Sequence, residues 1–199
     1  MDNVSKTANK ELMAQARASL SGAWWLAVGV MLVVFVILGA IASIPKAGVI
    51  GSLLVAGPFS LGLAIFSLAL ARKQNPQFGQ VFAGFKKFGV ALGAYLLFMI
   101  FVILWSLLLI IPGIIAAISY AMTFYIIADD DKIGPLEAIR KSKELMRGNK
   151  WKLFCLGARF IGWFLLCLLT FGIGVLWLSP YMKVSFANFY DDLIKKETV

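Results

Sequence analysis

The chain has 199 residues, 61% of them hydrophobic and only 15% charged, with a formal net charge of +9 and no histidine. Soluble globular domains run nearer about 45–50% apolar and 25% charged, so this composition, with a mean hydropathy of +0.88, excludes an ordinary soluble domain. The absence of histidine removes the commonest general base and metal ligand.

The apolar runs are long enough to cross about 30 Å of hydrocarbon as helix. None alternates in the way a membrane β-barrel requires. The sequence therefore predicts an all-α, polytopic membrane protein, a single domain over 1–199.

Residues 1–21 are polar and mildly basic, with Leu12, Met13, Ala16 and Leu20 at helical spacing. Ala8 to Leu20 reads as an amphipathic helix on the membrane surface, with a solvated tail as the open alternative. Trp24 to Ile44 is the first span, opened by an interfacial Trp24-Trp25 pair and closed at Pro45-Lys46. Ala40-Ile41-Ala42 resembles a signal-peptidase site, but the preceding run is too long, and an uncleaved span is expected. Ala47 to Leu70 is the second span, with a kink expected near Pro58, and Arg72-Lys73 ends it.

Gln74 to Phe88 places Phe78, Val81, Phe82, Phe85 and Phe88 on one side and reads as a short interfacial helix. Val90 to Ile111 is the third span. A tight turn at Pro112-Gly113 leads into the fourth, Pro112 to Ala128, which ends at Asp129-Asp130-Asp131. A basic helix follows, with Gly134-Pro135 as start signal and Gly148-Asn149 as stop. Its Leu136, Ile139, Ser142 and Met146 line one face. Glu137 with Lys141, Arg140 with Glu144 and Glu144 with Arg147 are spaced to pair along the other. Leu153 to Leu169, a turn at Thr170 to Gly174, and a return span to Tyr190 complete six transmembrane helices arranged as three hairpins.

Orientation follows from the cations. Lys6, Lys10, Arg17, Arg72, Lys73, Lys86, Lys87, those from Lys132 to Lys152, Lys195 and Lys196 fall on one side, and Lys46 alone falls on the other. Basic residues are retained in the cytoplasm, which places both termini and the interfacial helices there. This also accounts for the positive charge without a nucleic-acid partner.

The units look repeated. Leu92-Gly93-Ala94 matches Leu156-Gly157-Ala158, Ile118 to Met122 (ISYAM) corresponds to Leu178 to Met182 (LSPYM), and Asp129-Asp130 to Asp191-Asp192. Lys10 to Met13 recurs as Lys143 to Met146. The implied copies are 8–73, 74–131 and 132–193, each with an even number of spans and hence one orientation.

The last copy carries EAIRKSKELMRGNK (Glu137 to Lys150), then FIGW (Phe160 to Trp163), TFGIGVLWLSPY (Thr170 to Tyr181) and FYDDL (Phe189 to Leu193). With these motifs the chain resembles a family of small bacterial integral-membrane proteins catalogued as domain of unknown function 975. The resemblance is most specific from Ala138 to Leu193 and is expected over the whole chain. It implies a polytopic helical fold in a bacterial cytoplasmic membrane and carries over no catalytic residues.

Candidate sites are few. Arg159 sits about 9 Å into its span, close enough to snorkel to the interface or to mark a binding path. Arg140, Lys141, Arg147, Lys150 and Lys152 could hold anionic headgroups or simply set topology. The Asp129 to Asp131 run does not converge on a cation without help, and pairing with the basic helix is expected instead. Pro58 and Pro180 free carbonyls that, with Ser119 and Tyr181, could line a mid-membrane cavity. Cys155 and Cys167 fall roughly 18 Å apart on one helix, too far for a disulfide with each other.

With no nucleophile beside a base and no phosphate loop, no enzyme, cofactor or metal is expected. The expectation is a non-catalytic membrane protein that binds lipid or a protein partner, the alternative being a small transporter with a mid-membrane substrate cavity.

Overall fold

The computed structural model describes residues 4–45 and 48–195. Lys46, Ala47 and Lys196, which enter the orientation and second-span expectations, lie outside them. Among the described residues there are helices and no strands. In order they are α1 (Asn9–Leu20), α2 (Trp24–Ala42), α3 (Gly48–Ala71), a 3-10 helix (Phe78–Lys87), α4 (Phe88–Leu108), α5 (Ile110–Ser119), α6 (Thr123–Asp129), α7 (Pro135–Leu145), α8 (Lys150–Ala158), α9 (Ile161–Leu169) and α10 (Val175–Ile194).

Among the described residues five stretches are long and apolar enough to cross a membrane: Trp24–Ala42, Gly48–Ala71, Phe78–Leu108, Ile110–Asp129 and Lys150–Leu169. The expected sixth, α10, has the length but not the composition, because Lys183, Asn188, Asp191 and Asp192 interrupt its apolar run. The count of six therefore reduces to five on length and apolarity.

The packing centre is α3, with α6 and α10 beside it. Phe59, Leu61, Phe66 and Leu70 of α3 share one buried cluster with Ile126 and Ile127 of α6 and Val184 and Phe189 of α10. Away from this centre the bundle turns apolar outward. Phe171 in the α9–α10 turn is 99% exposed and Leu107 at the end of α4 is 84% exposed. Apolar turns this bare would be an aggregation hazard in water and are at home in hydrocarbon.

Three short helices lie along the returning helices in an ordered way. The α1 face Leu12, Met13, Ala16 and Leu20 is fully or almost fully buried, as its spacing predicts. It faces α10, because the Asn188 amide donates to the Leu12 carbonyl at 3.4 Å and the Arg17 Nε to the Tyr181 hydroxyl at 3.1 Å. Rising numbers in α1 meet falling numbers in α10, so the two run antiparallel.

The 3-10 helix runs antiparallel along α3 at backbone contact. A Cβ on Gly62 would lie 1.8 Å from the Val81 carbonyl oxygen, and one on Gly84 would lie 2.0 Å from that of Pro58. Phe59 holds the other side through edge-to-face contacts with Phe82 and Phe85 at 6.0 and 5.1 Å. A tighter, thinner helix of this kind can approach where an α-helix would be held off. The helix packs on α3 through Val81 and Gly84, while Phe78, Phe82, Phe85 and Phe88 of the expected apolar face stay exposed.

The fourth span is not continuous. It breaks between α5 and α6, where Ser142 of α7 inserts: its hydroxyl donates to the Ser119 carbonyl at 2.9 Å and accepts from the Met122 N–H at 3.2 Å. The two backbone groups freed by the break are thereby satisfied, as buried groups must be. The turn into α5 also differs from the expected Pro112-Gly113. The chain turns at Leu109, which is extended (φ −162, ψ 146), and Pro112 sits within the first helical turn, where a missing N–H removes no intrahelical bond. The fifth span likewise breaks, at Arg159-Phe160 between α8 and α9.

Candidate functional site

The charged end of the bundle is where α3, α6 and α10 finish. Arg72, one residue past α3, reaches both neighbours. Its Nη1 and Nη2 donate to the two oxygens of Asp129, each at 2.7 Å, and its Nε and Nη2 donate to Asp191 Oδ1 at 3.0 and 2.7 Å. One planar guanidinium thus grips two carboxylates in fork geometry. The Asp129 hydrogen bonds, followed by those to Asp191, raise the Arg72 pKa above its ordinary value although partial burial opposes them. Carboxylates at helix C-termini are unfavourable unless a cation offsets them, and Arg72 supplies that cation for α6 and α10 together.

This corrects the expected pairing of the Asp run with the basic helix. Asp129 goes to Arg72, Asp131 pairs with Lys87, and Asp130 accepts the Lys132 N–H at 3.0 Å. The Lys87 ammonium also donates to the Ile127 carbonyl at 3.0 Å and lowers the Asp131 pKa.

The α7 charges stay open. Glu137, Arg140, Lys141, Glu144 and Arg147 form no ion pairs with one another among the described residues, and Arg140, Lys141 and Arg147 are exposed. Solvated pairs at this spacing gain only a few tenths of a kcal/mol, too little to hold two long side chains together. The buried face of α7 is Ala138, Ile139, Ser142 and Leu145, while Leu136 is exposed.

The predicted basic residues divide into separate places. Lys152 donates to the Ser5 carbonyl at 2.9 Å and to its hydroxyl, while the Ser5 N–H donates to Asn149 Oδ1 at 2.7 Å and the Ser5 hydroxyl to Asp192. Lys152 therefore pins the N-terminal segment between α8 and α10. Arg159 is exposed at the α8–α9 break. Lys150 is half-buried and, with Lys143, edges a cleft of about 300 Å³ whose walls include Trp105, Pro112, Ser119 and Tyr120.

The four candidate cavity residues are also dispersed. Ser119 lines that cleft, its hydroxyl donating to the Ile115 carbonyl at 2.6 Å. Tyr181 lines a second, apolar cleft of about 330 Å³ with Arg17, Trp24, Trp163, Cys167 and Trp177. Pro58 lies under the 3-10 helix against Gly84, and Pro180 is buried within α10.

Sequence reasoning missed Arg72, Lys143 and Arg17. The signal for Arg72 was present: Arg72, Asp129 and Asp191 each stand where a returning span ends. Lys143 and Arg17 carried no local mark, because a cleft is made by helices distant in sequence.

A family model described as "Protein of unknown function (DUF975)" matches residues 1–119 and 107–197. The chain belongs to the DUF975 family. This agrees with the resemblance carried by the motifs from Glu137 onward and with its expected reach over the whole chain. A search of curated proteins and a search of solved structures each returned no match.

Proposed function

We propose that this DUF975 protein is a non-catalytic component of the bacterial cytoplasmic membrane that binds anionic phospholipid. The observation that carries this reading is the Lys143–Lys150 cleft. Two ammonium groups from separate elements border an apolar recess beside Trp105 and Tyr120, the combination that suits a charged headgroup above acyl chains. Arg140 and Lys141 on α7 and Arg147 in the turn after it are exposed and add positive charge to the surface.

The same reading has α10 as a sixth crossing and both termini in the cytoplasm, where basic residues are retained. It also takes 8–73, 74–131 and 132–193 as three copies of one unit. Support comes from the packing: the 3-10 helix of the second copy lies on α3 of the first, α7 of the third on α6 of the second, and α1 of the first on α10 of the third. Each copy lends its short helix to the one before, and the ring closes.

A small permease would need its polar groups gathered around one path. Pro58, Ser119, Pro180 and Tyr181 fall in different places, which favours lipid binding.

Native mass spectrometry from a gentle detergent tests the proposal. Phosphatidylglycerol should be retained, and Lys143→Gln with Lys150→Gln should weaken its affinity about thirtyfold, at about 1 kcal/mol per cation. Retention unchanged in the double variant, or no retained lipid at all, would overturn it and point to a protein partner.

A further inference from the structure

The second cleft, between α2, α9 and α10, has a cation of its own. Arg17 ends its helix pointing at α10, where its Nε donates to the Tyr181 hydroxyl at 3.1 Å and its guanidinium carbon lies 5.8 Å from the Tyr181 ring centroid. These contacts fix the side chain but do not neutralise it: among the described residues no carboxylate pairs with Arg17, and the residue stays exposed.

Beyond Arg17 the walls become apolar. Trp24 of α2, Trp163 of α9 and Trp177 and Leu178 of α10 enclose about 330 Å³, and an edge-to-face contact of Trp177 with Trp25 at 6.5 Å braces one side. The far end is the Thr170–Gly174 turn, where the Thr170 hydroxyl is already bonded to the Cys167 carbonyl at 2.9 Å. From Tyr181 to the start of α10 is about 9 Å of helical rise. The recess is therefore short, charged at one mouth and oily along its length.

We infer that this recess is a second lipid site, holding one anionic phospholipid with its phosphate on Arg17 and an acyl chain along Trp24, Trp163 and Trp177. Charge selects the occupant. An apolar helix from another protein would cover Arg17 and leave its charge desolvated and unpaired, which is costly. A zwitterionic lipid brings a second cation to the same mouth. An anionic headgroup satisfies the guanidinium while its chain fills the recess. The site rests on the lipid-binding reading above but uses a different cation and different helices.

Each cleft holds its own tryptophan, so the two can be read separately. A variant retaining Trp163 alone, with Trp24, Trp25, Trp105, Trp151 and Trp177 replaced by Phe, is reconstituted in phosphatidylcholine vesicles. These carry a small fraction of either dibrominated phosphatidylglycerol or dibrominated phosphatidylcholine. The brominated anionic lipid should be enriched at Trp163 about fivefold over the zwitterionic one, the effect expected of a single cation, and Arg17→Gln should abolish the excess. Equal quenching by the two lipids, or an excess that survives Arg17→Gln, overturns the site.

A companion protein retaining Trp105 alone reports the Lys143–Lys150 cleft. Loss of selectivity at Trp105 and not at Trp163 would sink the earlier reading alone, and the reverse would sink this one alone. Should the single-tryptophan protein fail to fold, native mass spectrometry of Arg17→Gln with all tryptophans present decides. One retained phosphatidylglycerol fewer supports the site, and an unchanged number overturns it.

Discussion

Arg72 is the residue on which the charged end depends, and its geometry says what its loss would do. Removing the guanidinium leaves Asp129 and Asp191 facing each other at the ends of two helices whose dipoles already disfavour them. Breaking a pair costs more than the pair contributes, because the partners stay behind unpaired. Both carboxylates keep some contact with solvent, so the cost falls below that of a fully buried pair. Arg72→Ala should lower unfolding stability in detergent by about 2 kcal/mol, and Arg72→Lys should recover only part of it, since an ammonium cannot fork to two carboxylates. Denaturant titration monitored by tryptophan fluorescence would read both. A raised arginine pKa adds stability that is lost only as pH rises through the raised value, beyond the working range, so this contribution should be flat from neutral to mildly alkaline pH.

Among the elements, the 3-10 helix makes the closest approach to a neighbour, and glycine permits it. Gly62 and Gly84 bring two backbones into contact where a Cβ would lie 1.8 and 2.0 Å from a carbonyl oxygen. Backbone cannot swing aside as a side chain can, so the 3-10 helix would have to lift from α3. Gly84→Ala should destabilise the protein by about 2–3 kcal/mol, as overpacking does. Gly79→Ala, on the same helix with nothing within 4 Å of the added methyl, should be neutral or slightly stabilising. Thermal melting of the two variants separates packing from helix propensity; equal melting points would show that the contact with α3 is dispensable. Periodicity announced this helix through Phe78, Val81, Phe82 and Phe85. It could not tell that Val81 would bury against α3 while Phe78, Phe82 and Phe85 stay exposed, because hydrocarbon and a protein core select the same residues. The α1 face was legible in full for the opposite reason: its polar flanks leave only Leu12, Met13, Ala16 and Leu20 to bury.

Over the whole molecule, α1 from the start of the chain lies on α10 from its end, and in the proposed reading the short helices close a ring of hairpins. In the proposed orientation the ring's charged end faces the cytoplasm. A fluorescent protein that folds only in the cytoplasm should be bright at either terminus, and a phosphatase active only outside should be silent at both. A bright phosphatase at the C-terminus alone would mean that α10 does not cross, leaving the five crossings that length and apolarity support.

Local chemistry determined a good deal here without any fold. Apolar runs longer than a bilayer is thick dictated helices long enough to span, Gly134-Pro135 and Gly148-Asn149 bounded the basic helix, and the motifs from Glu137 onward carried the family. Each of these is written in neighbouring residues. What only the tertiary structure decided is which distant groups meet. Arg72 is 57 and 119 residues from its two carboxylates, and Arg17 is 164 from Tyr181. Ser142 repairs a break in a span it does not belong to. Charge pairing and clefts depend on distance in space, and the lateral order of helices that sets those distances follows from close packing around α3, which no run of adjacent residues records.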